Sequence, residues 1–142
     1  MSLSIRNQIP GTVLSVTPGE VMATVKVRLA GGQEITAAIT LEAVEDLGIT
    51  AGSAVRTLIK STEVALSTGP LDGVSIRNQL PGTVVDVATG GAMAGVKVAV
   101  AGGELTAAIT RDAAEDLKLA AGAEVTALIK STEIALAADG RG

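Results

Sequence analysis

The chain is written twice. SIRNQIPGTVLSV at Ser4–Val16 returns as SIRNQLPGTVVDV at Ser75–Val87, and ITAAIT at Ile35–Thr40 returns within LTAAIT at Leu105–Thr110. LIKSTEVAL at Leu58–Leu66 then returns as LIKSTEIAL at Leu128–Leu136. A repeat of this length is a structural unit, so the chain must fold as two copies of something small. Module one runs from Ser4 to Ser67 and module two from Ser75 to Ala137. The linker Thr68–Val74 between them carries Gly69, Pro70, Asp72 and Gly73, all turn-forming or flexible. The polar tail Ala138–Gly142 is expected to be loose.

Such a module has little to bury. Phe, Trp and Tyr are absent, so each interior must be assembled from Val, Ile, Leu, Ala and a few Met. A unit of this size is marginal alone. With 47% of the residues hydrophobic, the expectation is that modules bury further surface against one another, within the chain and between chains, as a homo-oligomer.

Gly11–Val16 and Val21–Leu29 read as strands separated by a Pro18-Gly19 turn. Gly31-Gly32 marks the next turn, before a third strand at Glu34–Ile39. Leu41–Leu47 is the one convincing helix, with Thr40 as N-cap, Glu42 in the first turn and Gly48 at the stop. Its repeat is Arg111–Leu117 after Thr110, with Lys118 where the stopping glycine stood. Ala54–Ile59 and Glu63–Leu66 supply two more strands. Strands in this order, with one short helix between the third and fourth, predict a mainly β chain of two tandem OB-like Greek-key barrels.

An OB-like barrel raises the question of nucleic acid, and the composition argues against it. Single-strand binders of this fold stack bases on aromatic side chains in a basic groove, whereas this chain has no aromatic residue and a net charge of −4. The absence of Cys and His removes disulfides, thiolate or imidazole metal ligation and imidazole catalysis, and Glu45-Asp46 and Glu115-Asp116 read as solvated helix residues. No signal sequence and no apolar run approaching the roughly 20 residues of a membrane span is present, so a soluble, cytoplasmic chain is expected. Lys60-Ser61-Thr62 resembles the end of a phosphate loop, but Ile59 stands where the glycine is required. No GxSxG elbow exists to activate a serine. Catalysis is not expected.

The polar positions that both copies keep are mostly hydrogen-bond donors. Ser4, Arg6, Asn7 and Gln8 open module one, Thr40 caps its helix, and Lys60, Ser61 and Thr62 follow an apolar run. Their counterparts are Ser75, Arg77, Asn78, Gln79, Thr110, Lys130, Ser131 and Thr132. Hydroxyls, guanidinium and ammonium all donate to oxygen, which suits a small oxyanion. Plainer roles compete. Asn7 and Gln8 precede Pro10-Gly11 and read more simply as satisfying turn backbone. Thr40 is a cap first, and Lys60 could be a solvated strand-end charge. Strand alternation puts Lys60 and Ser61 on opposite faces unless the chain bends there. Arg6 has no obvious carboxylate partner.

SIRNQ-[IL]-PG, the AGG turn, TAAIT before the helix and the LIKSTE-[VI]-AL ending together resemble the Mop (molbindin) family of molybdate-binding modules. The resemblance runs through both modules almost end to end. It implies an OB-like fold, six modules around a threefold axis and therefore a homotrimer of two-module chains. It also implies molybdate or tungstate as ligand, with no cofactor, at sites shared between modules, and a role in intracellular molybdenum storage and homeostasis. By this resemblance Ser4, Arg6, Lys60 and Ser61 contact one anion while a neighbouring module presents Thr40; Ser75, Arg77, Lys130 and Ser131 form the second set with Thr110. The DNA-binding or nucleotide-binding domains that accompany such modules in regulators and transporter ATPases are not seen in this sequence, so neither role is expected of it.

The chemistry is consistent with that ligand. Molybdate is a fully deprotonated dianion near neutrality and only accepts hydrogen bonds, so donors without carboxylates suit it. Two other readings stay open from residues alone: a structural or adaptor OB module without a small ligand, and a binder of sulfate or another oxyanion.

Overall fold

The computed structural model describes residues 2–69 and 71–138. Pro70 of the linker and residues 139–142 of the tail lie outside the described residues, while Ala138 closes the last strand.

The first half contains β1 (Asn7–Pro18), β2 (Met22–Leu29), β3 (Glu34–Thr40), α1 (Leu41–Leu47), β4 (Ala54–Ile59) and β5 (Ala65–Ser67). The second contains β6 (Asn78–Thr89), β7 (Met93–Val100), β8 (Gly103–Thr110), α2 (Arg111–Asp116), β9 (Glu124–Ile129) and β10 (Ile134–Ala138). A single 3₁₀ turn, Ser61–Glu63 or Ser131–Glu133, precedes each half's last strand. All pairing is antiparallel, in two curled five-stranded sheets, as expected of tandem OB-like units.

β2 shows why these residues make strands. Ala23, Val25, Val27 and Leu29 alternate inward while Met22, Thr24, Lys26 and Arg28 face out. β1 is longer than the expected Gly11–Val16 because Pro10 does not interrupt it. Its carbonyl accepts from the Ala30 N–H at 3.1 Å, so its nitrogen faces the same side, where β2 has already turned away and no ladder donor is needed. Gly11 is required by close approach: a Cβ there would lie 2.6 Å from Val27 Cγ1 and 2.9 Å from the Arg28 carbonyl oxygen.

α1 has the expected bounds, capped by Thr40, whose Oγ1 accepts from the Ala43 N–H at 3.1 Å, and ended by Gly48 at φ 65°. α2 stops one residue short of the expected Leu117, and Lys118 takes the left-handed conformation at φ 55°.

The fifth strands require a correction. The expected strand Glu63–Leu66 is a 3₁₀ turn followed by β5, and β5 does not join its own half. The sheet orders are β10-β4-β1-β2-β3 and β5-β9-β6-β7-β8, so the two halves exchange their last strands. Ile134 pairs with Ile59 and Leu136 with Thr57, while Ala65 pairs with Leu128. Ile134 and Leu136 are buried in a core cluster with Ile9, Val13, Val55 and Ile59 from the first half and Leu80, Leu105 and Ile129 from the second. Each such side chain contributes about 1.5–3 kcal/mol of burial. One core cluster thus spans both halves, while Val84, Val96, Val98 and Val125 belong to a second cluster within the second half.

Candidate functional site

Register assembles the site. In the first half Asn7 pairs with Ile59, so the arm that precedes β1 and the turn that follows β4 leave the sheet side by side. This brings Ser4, Ile5 and Arg6 against Lys60, Ser61 and Thr62 around a cleft of about 200 Å³. Asn78 pairs with Ile129 in the same way, so Arg77 and Lys130 adjoin paired residues in the second half. Gln8 steadies the arm by donating from Nε2 to the Ile5 carbonyl at 3.0 Å, and Gln79 does the same for Ile76 at 3.0 Å. The simpler reading of Gln8 as a local backbone partner holds.

The 3₁₀ turn resolves the face problem. With the Glu63 N–H donating to the Lys60 carbonyl at 2.9 Å, the chain leaves the strand geometry that would separate Lys60 from Ser61. Both then line the cleft. Arg6 and Lys60 are exposed, Ser61 is half-buried, and no carboxylate is among the lining residues. Among the described residues neither cation forms a salt bridge within 4 Å, and the buried Ser61 Oγ has no hydrogen-bond partner. Two adjacent positive charges and an unused hydroxyl make a site suited to an anion. In the second half Ser75, Arg77 and Lys130 are exposed, and Ser131 Oγ lies 3.5 Å from Asn78 Nδ2, at the limit of a hydrogen bond.

Neither Thr40 nor Thr110 lines the cleft beside Arg6 and Lys60. Thr40 ends β3 opposite Met22, and Thr110 ends β8 opposite Met93. Each hydroxyl accepts from a helix N–H at 3.1 Å and retains its own proton to donate outward. Val21, Met22 and Met93 beside them are exposed at 71%, 44% and 46%. That places donor and apolar surface together on the outside.

Carboxylates do stand nearby. Glu63 and Glu133, one from each 3₁₀ turn, both line two adjoining hollows of about 340 and 300 Å³ that also contain Lys130 and Lys60 respectively. Glu133 titrates above the ordinary carboxylate range. The largest cause is its hydrogen bond with the Glu63 carboxyl, followed by loss of water and the Glu63 charge, while Lys130 and Lys60 act in the opposite direction.

Sequence reasoning missed what Asn7 and Asn78 do. Both are buried, 3% exposed, and each clasps the other half of the chain. Asn7 Nδ2 donates to the Thr106 carbonyl at 2.9 Å and Oδ1 accepts from the Thr106 N–H at 2.8 Å. Asn78 makes the same pair of bonds to Thr36 at 2.9 and 2.8 Å, and also donates to the Ile129 carbonyl at 3.0 Å. The only available signal was that Asn recurs at the same place in both copies.

Comparison with known proteins agrees with this architecture. Residues 3–66 and 74–136 each match the TOBE domain. The chain is similar to the molybdenum-pterin-binding protein MopB of Rhodobacter capsulatus, 40% identical over 94% of this chain and 50% of that protein. It is similar as well to molybdenum-pterin-binding protein 3 of Clostridium pasteurianum, 44% identical over 46% of this chain and 97% of that protein. The chain spans about half the length of its longer curated relatives. Among solved structures, the cytoplasmic molybdate-binding protein ModG with molybdate bound superposes with a TM-score of 0.94 at 37% identity, covering 97% of this chain and 99% of that one.

Proposed function

The chain belongs to the family of TOBE-domain proteins, as two Mop (molbindin) modules in tandem, and on that premise we propose that it binds molybdate as a bare tetrahedral dianion. The observation that carries this reading is the apposition of Arg6 and Lys60 beside the unsatisfied Ser61 hydroxyl, in a cleft lined by no carboxylate. Ser4, Arg6, Lys60 and Ser61 form one site; Ser75, Arg77, Lys130 and Ser131 form the second. The charge-assisted bonds from Arg6 and Lys60 are the strongest individual contacts. Phosphate keeps a proton that a donor-only shell leaves unpaired, at a cost of about 1–3 kcal/mol. Tungstate, with nearly the same size and charge, occupies the same sites.

Thr40 and Thr110 complete these sites from neighbouring modules. Burying the exposed Val21, Met22 and Met93 against another copy carries each cap hydroxyl to a neighbour's cleft, in a homotrimer of six modules. The sequence units Ser4–Ser67 and Ser75–Ala137 are then binding modules whose folded forms share their last strands. The role that fits is reversible storage of the anion in the cytoplasm, the location stated for ModG, without turnover. No described helix is long and apolar enough to cross a membrane.

The test is calorimetric titration of the full chain with molybdate, sulfate and phosphate, in the wild type and in Arg6→Ala/Arg77→Ala. Molybdate should bind saturably at more than one site per chain, above phosphate, and the double variant should lose this. A folded double variant that binds as tightly as the parent sinks the site assignment; equal affinity for sulfate would broaden the ligand to oxyanions in general.

A further inference from the structure

We propose that Asn7 and Asn78 are positioning residues for the anion sites, each fixing one cation pair to the strand that carries the capping hydroxyl for a different site; this rests on the oxyanion reading above. Asn78 follows Arg77 directly, and its Nδ2 donates at 3.0 Å to the carbonyl of Ile129, the residue before Lys130 and Ser131. One carboxamide therefore ties the segment that carries Arg77 to the segment that carries Lys130. Its remaining capacity is spent on the other half of the chain, where it holds both the N–H and the carbonyl of Thr36 in β3. From Thr36 the strand runs about 13 Å to Thr40. Asn7, which follows Arg6 and pairs with Ile59 in the sheet, makes the same two cross-half bonds to Thr106, from which β8 runs on to Thr110. Its carboxamide does not bond the Ile59 carbonyl as that of Asn78 bonds Ile129.

The carboxamide suits this task because it reproduces a peptide group. It donates and accepts at one strand residue, as a neighbouring β-strand would, and so extends the edges of β3 and β8 across the boundary between halves. At 3% exposure these bonds are shielded from water, and an unpaired member would be costly. A change of backbone position at Arg77–Lys130 would thereby reach Thr36, and one at Arg6 would reach Thr106.

The experiment combines molybdate titration of wild type, Asn7→Leu and Asn78→Leu with amide hydrogen exchange of the wild-type chain. Leu keeps the volume and removes the bonds, and should weaken molybdate binding by about 10- to 100-fold, the range for partners that orient a ligating group. Thermal stability falls whether the role is positional or merely structural, so affinity of the folded variant is the discriminating readout. In the wild type, saturating molybdate should slow exchange of the Thr36 and Thr106 amides, a result that needs no variant to fold. Undiminished affinity in folded Leu variants, or Thr36 and Thr106 amides that exchange equally fast with and without molybdate, overturns the positioning role while leaving the oxyanion reading intact. Failure of the wild type to bind molybdate removes both.

Discussion

Ile134, in the last strand of the chain, sits opposite Ile59 of the first half, and both are almost fully buried. The first sheet is therefore closed by residues that lie a whole repeat away in sequence. Ile134→Ala should cost about 2–5 kcal/mol, as truncation of a buried Ile does, and the loss should appear in one cooperative transition shared by both halves. Two separate melting transitions, with only one shifted, would show that the halves unfold independently despite the exchange.

Glu63 and Glu133 make the fold sensitive to pH. Glu133 holds its proton above the usual carboxylate range because it hydrogen-bonds Glu63. The folded state thus binds that proton more tightly than the unfolded chain does. The resulting stability is fully present below the ordinary carboxylate pKa and is lost as pH rises through the raised folded value. Melting temperature measured across this window should fall with pH from this contribution in the wild type. In Glu63→Gln/Glu133→Gln the dependence should flatten, and an unchanged slope would count against the carboxyl pair.

Lys118 occupies a position where its repeat has Gly48, in the same left-handed conformation. A side chain there costs about 1–2 kcal/mol, partly offset by the roughly 0.5–1 kcal/mol of extra conformational freedom that glycine gives up on folding. Lys118→Gly is expected to stabilise the chain by about 0.5–1 kcal/mol on this balance. Urea unfolding checks the sign.

Thr40 has two separable roles. Thr40→Asp keeps a good N-cap for the Ala43 N–H while placing a carboxylate where the hydroxyl would meet the anion. Together with Thr110→Asp it should preserve thermal stability and abolish molybdate binding. Thr40→Ala should instead cost about 0.5–2 kcal/mol of stability. Retained binding in the folded double Asp variant would exclude the caps from the anion site.

Much of this was legible without coordinates. Val13, Val25 and Val27 marked strands through β-branching, and the Thr40 cap with Gly48 bounded α1 correctly. Arg6, Lys60 and Ser61 were recognisable as donors because their chemistry does not depend on the fold. That they meet depends on the Asn7–Ile59 register, and Lys60 joins Ser61 only through the 3₁₀ turn. The carboxamides of Asn7 and Asn78 looked like local turn partners, since sequence spacing carries no information on a bond to a residue in the other repeat.

The residues alone determined the repeat, the order of the elements, the aliphatic interior and a donor set without imidazole or thiol, because these follow from short-range sterics, burial periodicity and side-chain chemistry. Only the tertiary structure decided which sheet each final strand completes. Ala65-Leu66-Ser67 and Ala135-Leu136-Ala137 offer nearly the same pattern to either open edge, β4 or β9. Strand pairing between such near-equivalent edges is settled by where the Lys60 and Lys130 turns send the chain and by what the joined core then buries.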